Sequence, residues 1–151
     1  MVVGAHRRAA RRGRSRAVII AGVLDASAVL AYLRDEPGAD IVEQVIIRGA
    51  ALSTVNLAEV CAKLNEHGVA DADADVTATI DDLDLVIEPF FREDAERTGT
   101  WRGPTRDRGL SLGDRACLAL AYRLSAPALT TDHGWRDLQL PVAIDVVSLR
   151  T

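Results

Sequence analysis

The chain has 151 residues, 48% of them apolar and 26% charged, and carries a net charge of −4 at pH 7. That length holds one domain with a substantial core, and the balance excludes a chain that is disordered throughout. No apolar run reaches the roughly 18–20 residues that span a bilayer, so a soluble, cytoplasmic protein without a membrane partner is expected.

The charge is unevenly spread. Residues 1–16 contain six arginines (Arg7, Arg8, Arg11, Arg12, Arg14 and Arg16) and no acid, which leaves −10 on the remainder. Two readings stand for this stretch: an arm that binds RNA, or a disordered leader from an overlong gene start. The second is favoured because the fold pattern begins only at Ala17. The arginines followed by apolar Ala17–Leu24 imitate a signal peptide, but Asp25 follows directly and a helical pattern continues without a cleavage site. The expected organisation is therefore an arginine-rich extension over 1–16 and one domain over 17–151.

From Ala17 onward, short apolar runs alternate with helical patterns. Ala17–Leu24 reads as a buried strand, a continuous apolar run stopped by a polar residue. Ala26–Asp35 reads as a helix ended by Pro37-Gly38, and Ala39–Arg48 as a second helix. Ala51–Val55 is a short strand. Asn56 then offers an N-cap to a helix with an apolar stripe at Leu57, Val60, Cys61 and Leu64. A helix over Ala72–Leu83 and a strand over Leu85–Ile87 follow.

Phe91–Trp101 is read as helical, and Arg102–Gly109 as an arginine-rich loop. Ser111–Leu124 is the most apolar helix, opening with Ser111 three residues before Asp114, in the manner of a capping box. Ala128–Thr130 and Val142–Val147 are the last strands. Such alternation implies an α/β fold with a mainly parallel sheet, because parallel strands need crossover connections. Cys61 and Cys117 lie within apolar helical patterns and read as reduced core residues; no Cys or His spacing suits zinc.

Most of the 22 acids need only water as a partner. The run Asp71, Asp73, Asp75 hints at a calcium loop, but its sixth position is Val76 where a sharp turn needs glycine. A solvated helix start explains it. Four acids stand elsewhere. Asp25 follows the first strand and Asp132 follows Ala128–Thr130, and the crevice beyond the strand ends is the usual ligand site of such sheets. Glu59 and Asp114 are read in the first turns of helices, where the dipole favours negative charge. Singly, each acid also reads as a helix cap or a dipole-complementing residue. Periodicity moreover turns Glu59 away from its helix's apolar stripe, toward solvent.

The segments around these acids carry more information. Val23-Leu24-Asp25-Ala26-Ser27 resembles the opening motif of PIN domains, and Glu36-Pro37-Gly38 is typical of their VapC-type toxin branch. Ser53-Thr54-Val55-Asn56-Leu57-Ala58-Glu59 resembles the second motif. Leu110-Ser111-Leu112-Gly113-Asp114-Arg115-Ala116 resembles the third, and Leu129-Thr130-Thr131-Asp132 the fourth. The resemblance runs in order from about residue 18 to residue 150. It implies a three-layer α/β/α sandwich and a metal-dependent endoribonuclease, the toxin of a type II toxin–antitoxin pair that inhibits translation and growth. It also implies a cognate antitoxin and a homodimer.

The resemblance carries over Asp25, Glu59, Asp114 and Asp132 as the catalytic acids, with Ser27 and Thr130 as supporting hydroxyls. Clustered carboxylates repel one another, and a divalent cation relieves that conflict. All-oxygen ligation selects Mg²⁺ or Mn²⁺, with Asp25, Asp114 and Asp132 as ligands and Glu59 positioning the ion or the attacking water. Arg102, Arg106, Arg108 and Arg115 are candidates for phosphate contact, although a solvated loop and an exposed helix arginine describe them equally well.

Two rivals remain at this level. A haloacid-dehalogenase-type phosphatase also places Asp after its first strand, but needs a second Asp two residues on and a lysine. Position 27 is Ser here, and Lys63, the one lysine, sits in an unsuitable helix. The other rival is a non-catalytic PIN-fold module acting through antitoxin pairing and operon regulation.

Overall fold

The computed structural model describes residues 19–66 and 72–149. The extension over 1–16 and the side chains of Asp71, Asp73 and Asp75 lie outside the described residues.

Five short strands form one sheet: β1 (Gly22–Leu24), β2 (Ala50–Ser53), β3 (Val86–Glu88), β4 (Ala128–Thr130) and β5 (Ile144–Val146). Every neighbouring pair is parallel and the order is β3-β2-β1-β4-β5. The expected parallel sheet is thus present, although several strands are shorter than their apolar runs. Val23, Ala51 and Ala128 enter one core cluster, while Leu24, Leu52 and Leu129 enter the other. Successive residues of a strand point to opposite faces, so three central strands feed two cores at once. Burying Leu24, Leu52 and Leu129 completely stabilises the fold by roughly 1.5–3 kcal/mol apiece.

Helices α1 (Ala26–Leu33), α2 (Ala39–Gly49), α3 (Thr54–Glu66) and α4 (Ala72–Asp82) supply the first core, through Val29, Val42, Val60 and Ile80. Helices α5 (Arg92–Thr100), α6 (Arg102–Thr105) and α7 (Leu112–Leu124) lie in the chain between β3 and β4, and Trp101, Cys117, Leu118 and Leu120 fill the second. The result is a sheet between two helical layers. Among the described residues, no helix is long and apolar enough to cross a membrane.

Two local expectations need correction. Arg102–Gly109 is not a plain loop: α6 is followed by a 3-10 turn at Arg106–Arg108, closed by Gly109 at φ 68°. Thr105 Oγ1 donates to the carbonyl of Trp101 at 2.7 Å, which ties this compact segment to the end of α5. Nor is Asn56 a cap, because α3 begins at Thr54 and Asn56 lies buried within it. Its cap-like composition misled because the strand ends two residues earlier than its apolar run.

The second layer is pinned by one ion pair. Asp94 is almost wholly buried and accepts from Arg123 Nε at 3.0 Å, joining α5 to α7. Arg123 also reaches Glu88 at 3.4 Å and lies over the Phe91 ring at 4.7 Å. Asp94 has a second duty, accepting the Phe91 N–H at 3.0 Å at the start of α5. Removing the cation strands a buried carboxylate, so Arg123→Met is expected to cost about 3 kcal/mol in urea unfolding. Asp94→Asn, which retains an acceptor for Phe91, is expected to cost less. The reverse ranking would show that the pair is not what holds this layer.

Candidate active site

In a parallel sheet all strands end on one rim, and β1 lies where the strand order reverses. Successive connections from β1 lead toward β2 and β3, and the chain then returns to β4 on the other side. The crevice at such a switch point is left open at the strand ends. Asp25 stands there.

Asp25 directly follows β1 and N-caps α1, accepting from Ala28 N–H at 2.8 Å through Oδ1. The same oxygen accepts from Ser27 Oγ at 2.7 Å, and Oδ2 accepts from Thr130 Oγ1 at 2.5 Å. Only 4% of the residue is exposed. Burial lifts its carboxyl from 3.8 to about 6, against the three donors that favour the charged form, and Asp114 adds a further upward push. The two hydroxyls also act as receivers: Ser27 Oγ accepts Thr131 N–H at 3.0 Å and Thr130 Oγ1 accepts Asp132 N–H at 3.1 Å. One carboxylate thereby orients the backbone that leads out of β4.

Asp132 lies two residues beyond β4 and caps the 3-10 turn His133–Trp135, its Oδ1 accepting Gly134 N–H at 2.8 Å. His133 turns aside to Ser148 Oγ at 3.1 Å. Asp114 is the third residue of α7, held in a reciprocal capping box: Ser111 N–H donates to its Oδ2 at 2.9 Å and Asp114 N–H to Ser111 Oγ at 3.1 Å. Burial raises the Asp114 carboxyl, its hydrogen bonds to Ser111 oppose this, and Asp132 adds to the rise. One turn farther along α7, the Cys117 thiol is pushed up by burial and by the charges of Asp25, Asp114 and Glu59. Asp25, Asp114 and Asp132 therefore act on one another's charge in sequence along one rim.

Glu59 departs from expectation. It is the sixth residue of α3, beyond the first turn, and its half-buried side chain does not simply face solvent. Asn56 Nδ2 donates to its Oε1 at 2.8 Å, and Gly113 at the start of α7 gives it room. Periodicity within α3 identified the face that meets the first core but is blind to α7, which covers the opposite flank. The i, i+3 polar pair of Asn56 and Glu59 beside an apolar stripe is the signal that could have found this contact.

Several carboxylate oxygens of the site remain unfilled. Oδ1 of Asp25 is filled by two donors, and Oδ2 by one. Among the described residues, Asp114 Oδ1, Asp132 Oδ2 and Glu59 Oε2 accept no hydrogen bond. The unspent acceptors are all carboxylate oxygen, the donor chemistry of hard divalent cations. No three Asp, Glu, His or Cys side chains among the described residues close into a ready cage. The donor set thus suits a hard cation that keeps part of its water shell, as Mg²⁺ commonly does.

The arginines divide. Arg102, Arg106 and Arg108 are exposed and make no ion pair among the described residues. Their segment abuts the Asp132 turn: a Cβ built on Gly134 would sit 3.4 Å from the Arg108 carbonyl oxygen. Arg115 is different, being half-buried with Nη1 donating to the Thr98 carbonyl at 2.7 Å. It fastens α7 to α5, so the exposed helix arginine does not describe it.

A raised carboxyl pKa costs nothing below the unfolded-state value; the cost grows as pH rises from there and is complete above the folded-state value. In EDTA, Asp25→Asn is expected to be more stable than the parent at pH 7.5, by up to about 3 kcal/mol from the shift alone. That difference should shrink as pH falls through 6 and vanish near 4. Thermal unfolding across this range checks it; a difference independent of pH would remove Asp25 as the titrating group.

Comparison with known proteins adds family and fold. The family model described as PIN domain matches residues 22–140. No curated protein matches the sequence. A toxin–antitoxin complex from Klebsiella pneumoniae contains a chain that is 16% identical, with a TM-score of 0.62 over 82% of this chain and 95% of that one. VapBC2 from Rickettsia felis, bound to a promoter DNA fragment, gives 15% identity and 0.63 over 82% and 96%. Mycobacterium tuberculosis VapC20, described as a sarcin–ricin loop cleaving toxin, gives 17% and 0.59 over 74% and 90%. At these identities the structural likeness is one of fold. The family match covers most of the chain, from the first strand to beyond Asp132, and the protein belongs to the PIN-domain family.

Proposed function

We propose that this PIN domain is a Mg²⁺- or Mn²⁺-dependent endoribonuclease, the toxin of a type II toxin–antitoxin pair that acts by arresting translation and growth. The observation that carries the reading is the rim itself: Thr130 joins Asp25 to the Asp132 backbone, the Glu59 carboxylate lies against Gly113 beside Asp114, and Glu59, Asp114 and Asp132 each retain an unfilled carboxylate oxygen. Burial opposes the charge of Asp25 and Asp114, and a bound cation would relieve that cost. A hard divalent ion bound there lowers the pKa of a coordinated water and neutralises charge on a phosphodiester.

The protein's own groups then have distinct tasks. Asp25, Asp114 and Asp132 offer oxygens to the ion, directly or through its water. Glu59 orients the ion or the attacking water. Ser27 and Thr130 spend their hydroxyl hydrogens on Asp25 and so fix its rotamer. Arg102, Arg106 and Arg108, unpaired among the described residues and next to the Asp132 turn, supply positive charge for the RNA backbone that a net acidic body otherwise repels.

The named structural relatives include toxin–antitoxin assemblies, which supports an antitoxin as the partner here as well. A homodimer is the expected assembly. The alternative is a non-catalytic module that works through antitoxin pairing and operon regulation, and the toxin–antitoxin assemblies among the structural relatives are compatible with it.

Sequencing of RNA 5′ ends after induced expression, with purified protein assayed on total RNA in Mg²⁺ and Mn²⁺, separates the two. Asp25→Asn and Asp114→Asn are each expected to reduce cleavage on the order of 100-fold, and EDTA to abolish it. Full metal-dependent cleavage by Asp25→Asn would sink the assignment of the rim acids as the site, whereas antitoxin binding with every RNA intact favours the module. The pair Arg106→Glu with Arg108→Glu is expected to raise KM about 10-fold and flatten the salt dependence, leaving kcat nearly unchanged.

A further inference from the structure

Asn56 is a small polar residue among apolar neighbours in α3, and only 1% of it is exposed. A buried carboxamide has two N–H groups and one oxygen to satisfy. Both N–H directions are used: Nδ2 reaches Glu59 Oε1 at 2.8 Å and the Gly113 carbonyl at 3.0 Å. Its Oδ1 is buried with no partner among the described residues. Turning the amide over would set that oxygen against a carboxylate and a carbonyl, both acceptors, so the neighbours force the orientation.

Gly113 forms the opposite wall. A Cβ there would fall inside van der Waals distance of all three atoms of the Glu59 carboxylate. Its backbone is ordinary helix without positive φ, so conformation does not call for glycine at this point. Glycine is also a poor helix former. Space for Glu59 is what the position supplies, one residue before Asp114.

We infer that Asn56 and Gly113 form a socket that positions Glu59 toward the divalent cation and couples its placement to that of Asp114. This inference rests on the cation-dependent reading proposed above. Asn56 is a positioning residue, acting through Glu59 and not on the ion. The socket also binds α3 to the first turn of α7, so two acids from different crossovers are held in one register.

The test uses the full chain, stripped with EDTA, dialysed and titrated with Mn²⁺ by calorimetry, with thermal unfolding in EDTA followed in parallel. Asn56→Leu and Glu59→Gln are each expected to weaken Mn²⁺ binding on the order of 10-fold. The double variant should be no more than about twofold weaker than either single one, because both changes disable the same carboxylate. Gly113→Ala, which leaves Asn56 intact, should weaken Mn²⁺ similarly and carries the test if Asn56→Leu does not fold. A merely structural Asn56 would lower the unfolding temperature in EDTA but leave Mn²⁺ affinity at the parental value, and this result overturns the inference. Effects that multiply in the double variant, or parental affinity in Glu59→Gln, overturn it too. If the parent itself binds no Mn²⁺, the cation-dependent reading falls and takes the inference with it. Weak binding confined to Glu59→Gln removes the socket alone.

Discussion

A carboxylate kept almost out of water at the end of the central strand sets the terms for the rest of the rim. Asp25 ends β1, starts α1 and receives three hydrogen bonds, two of them from hydroxyls contributed by α1 and β4. Those same hydroxyls accept the N–H groups of Thr131 and Asp132, so the chain beyond β4 is aligned on Asp25. Burial still lifts its carboxyl to about 6. Three donors hold the geometry but do not fully compensate the lost hydration.

The other acids reach this point by different routes, and each is fixed by a local device. Asp114 relies on the capping box with Ser111, and Asp132 on the 3-10 turn through Gly134. Glu59 depends on Asn56 and on the missing side chain at Gly113. Around them the fold is stiffened by contacts without chemistry of their own, such as Arg115 on the Thr98 carbonyl and Arg123 on Asp94. Asp25 and Asp114 are consequently held where burial and a neighbouring acid both oppose their charge. Accumulated strain at a functional site, offset by packing elsewhere, is the usual pattern.

Much of this was legible from residue order. Alternating short apolar runs and helical stripes define a parallel α/β sheet, because only crossover helices can join parallel strands and both faces must then be buried. Strand-end acids such as Asp25 and Asp132 follow from that topology with no contact information. The Ser111 and Asp114 spacing announced its capping box for the same local reason. Four motifs in order then identified the family before any side chain was placed.

Contacts between separate crossovers were decided only by the tertiary structure. Glu59 lay on the polar side of α3 by periodicity, and nothing in that helix says that α7 covers this flank. Asn56 looked like a cap because its composition suits one, whereas its hydrogen bonds run to Glu59 within α3 and to Gly113, 57 positions away. Arg115 looked free because its partner is a backbone carbonyl, which no side-chain pattern reveals. Local order along the chain thus determined the strand-end pair, Asp25 and Asp132. Long-range packing decided that Glu59 lies against the start of α7 beside Asp114, since a helix's period reports which face is apolar and never which neighbour will come to cover the other.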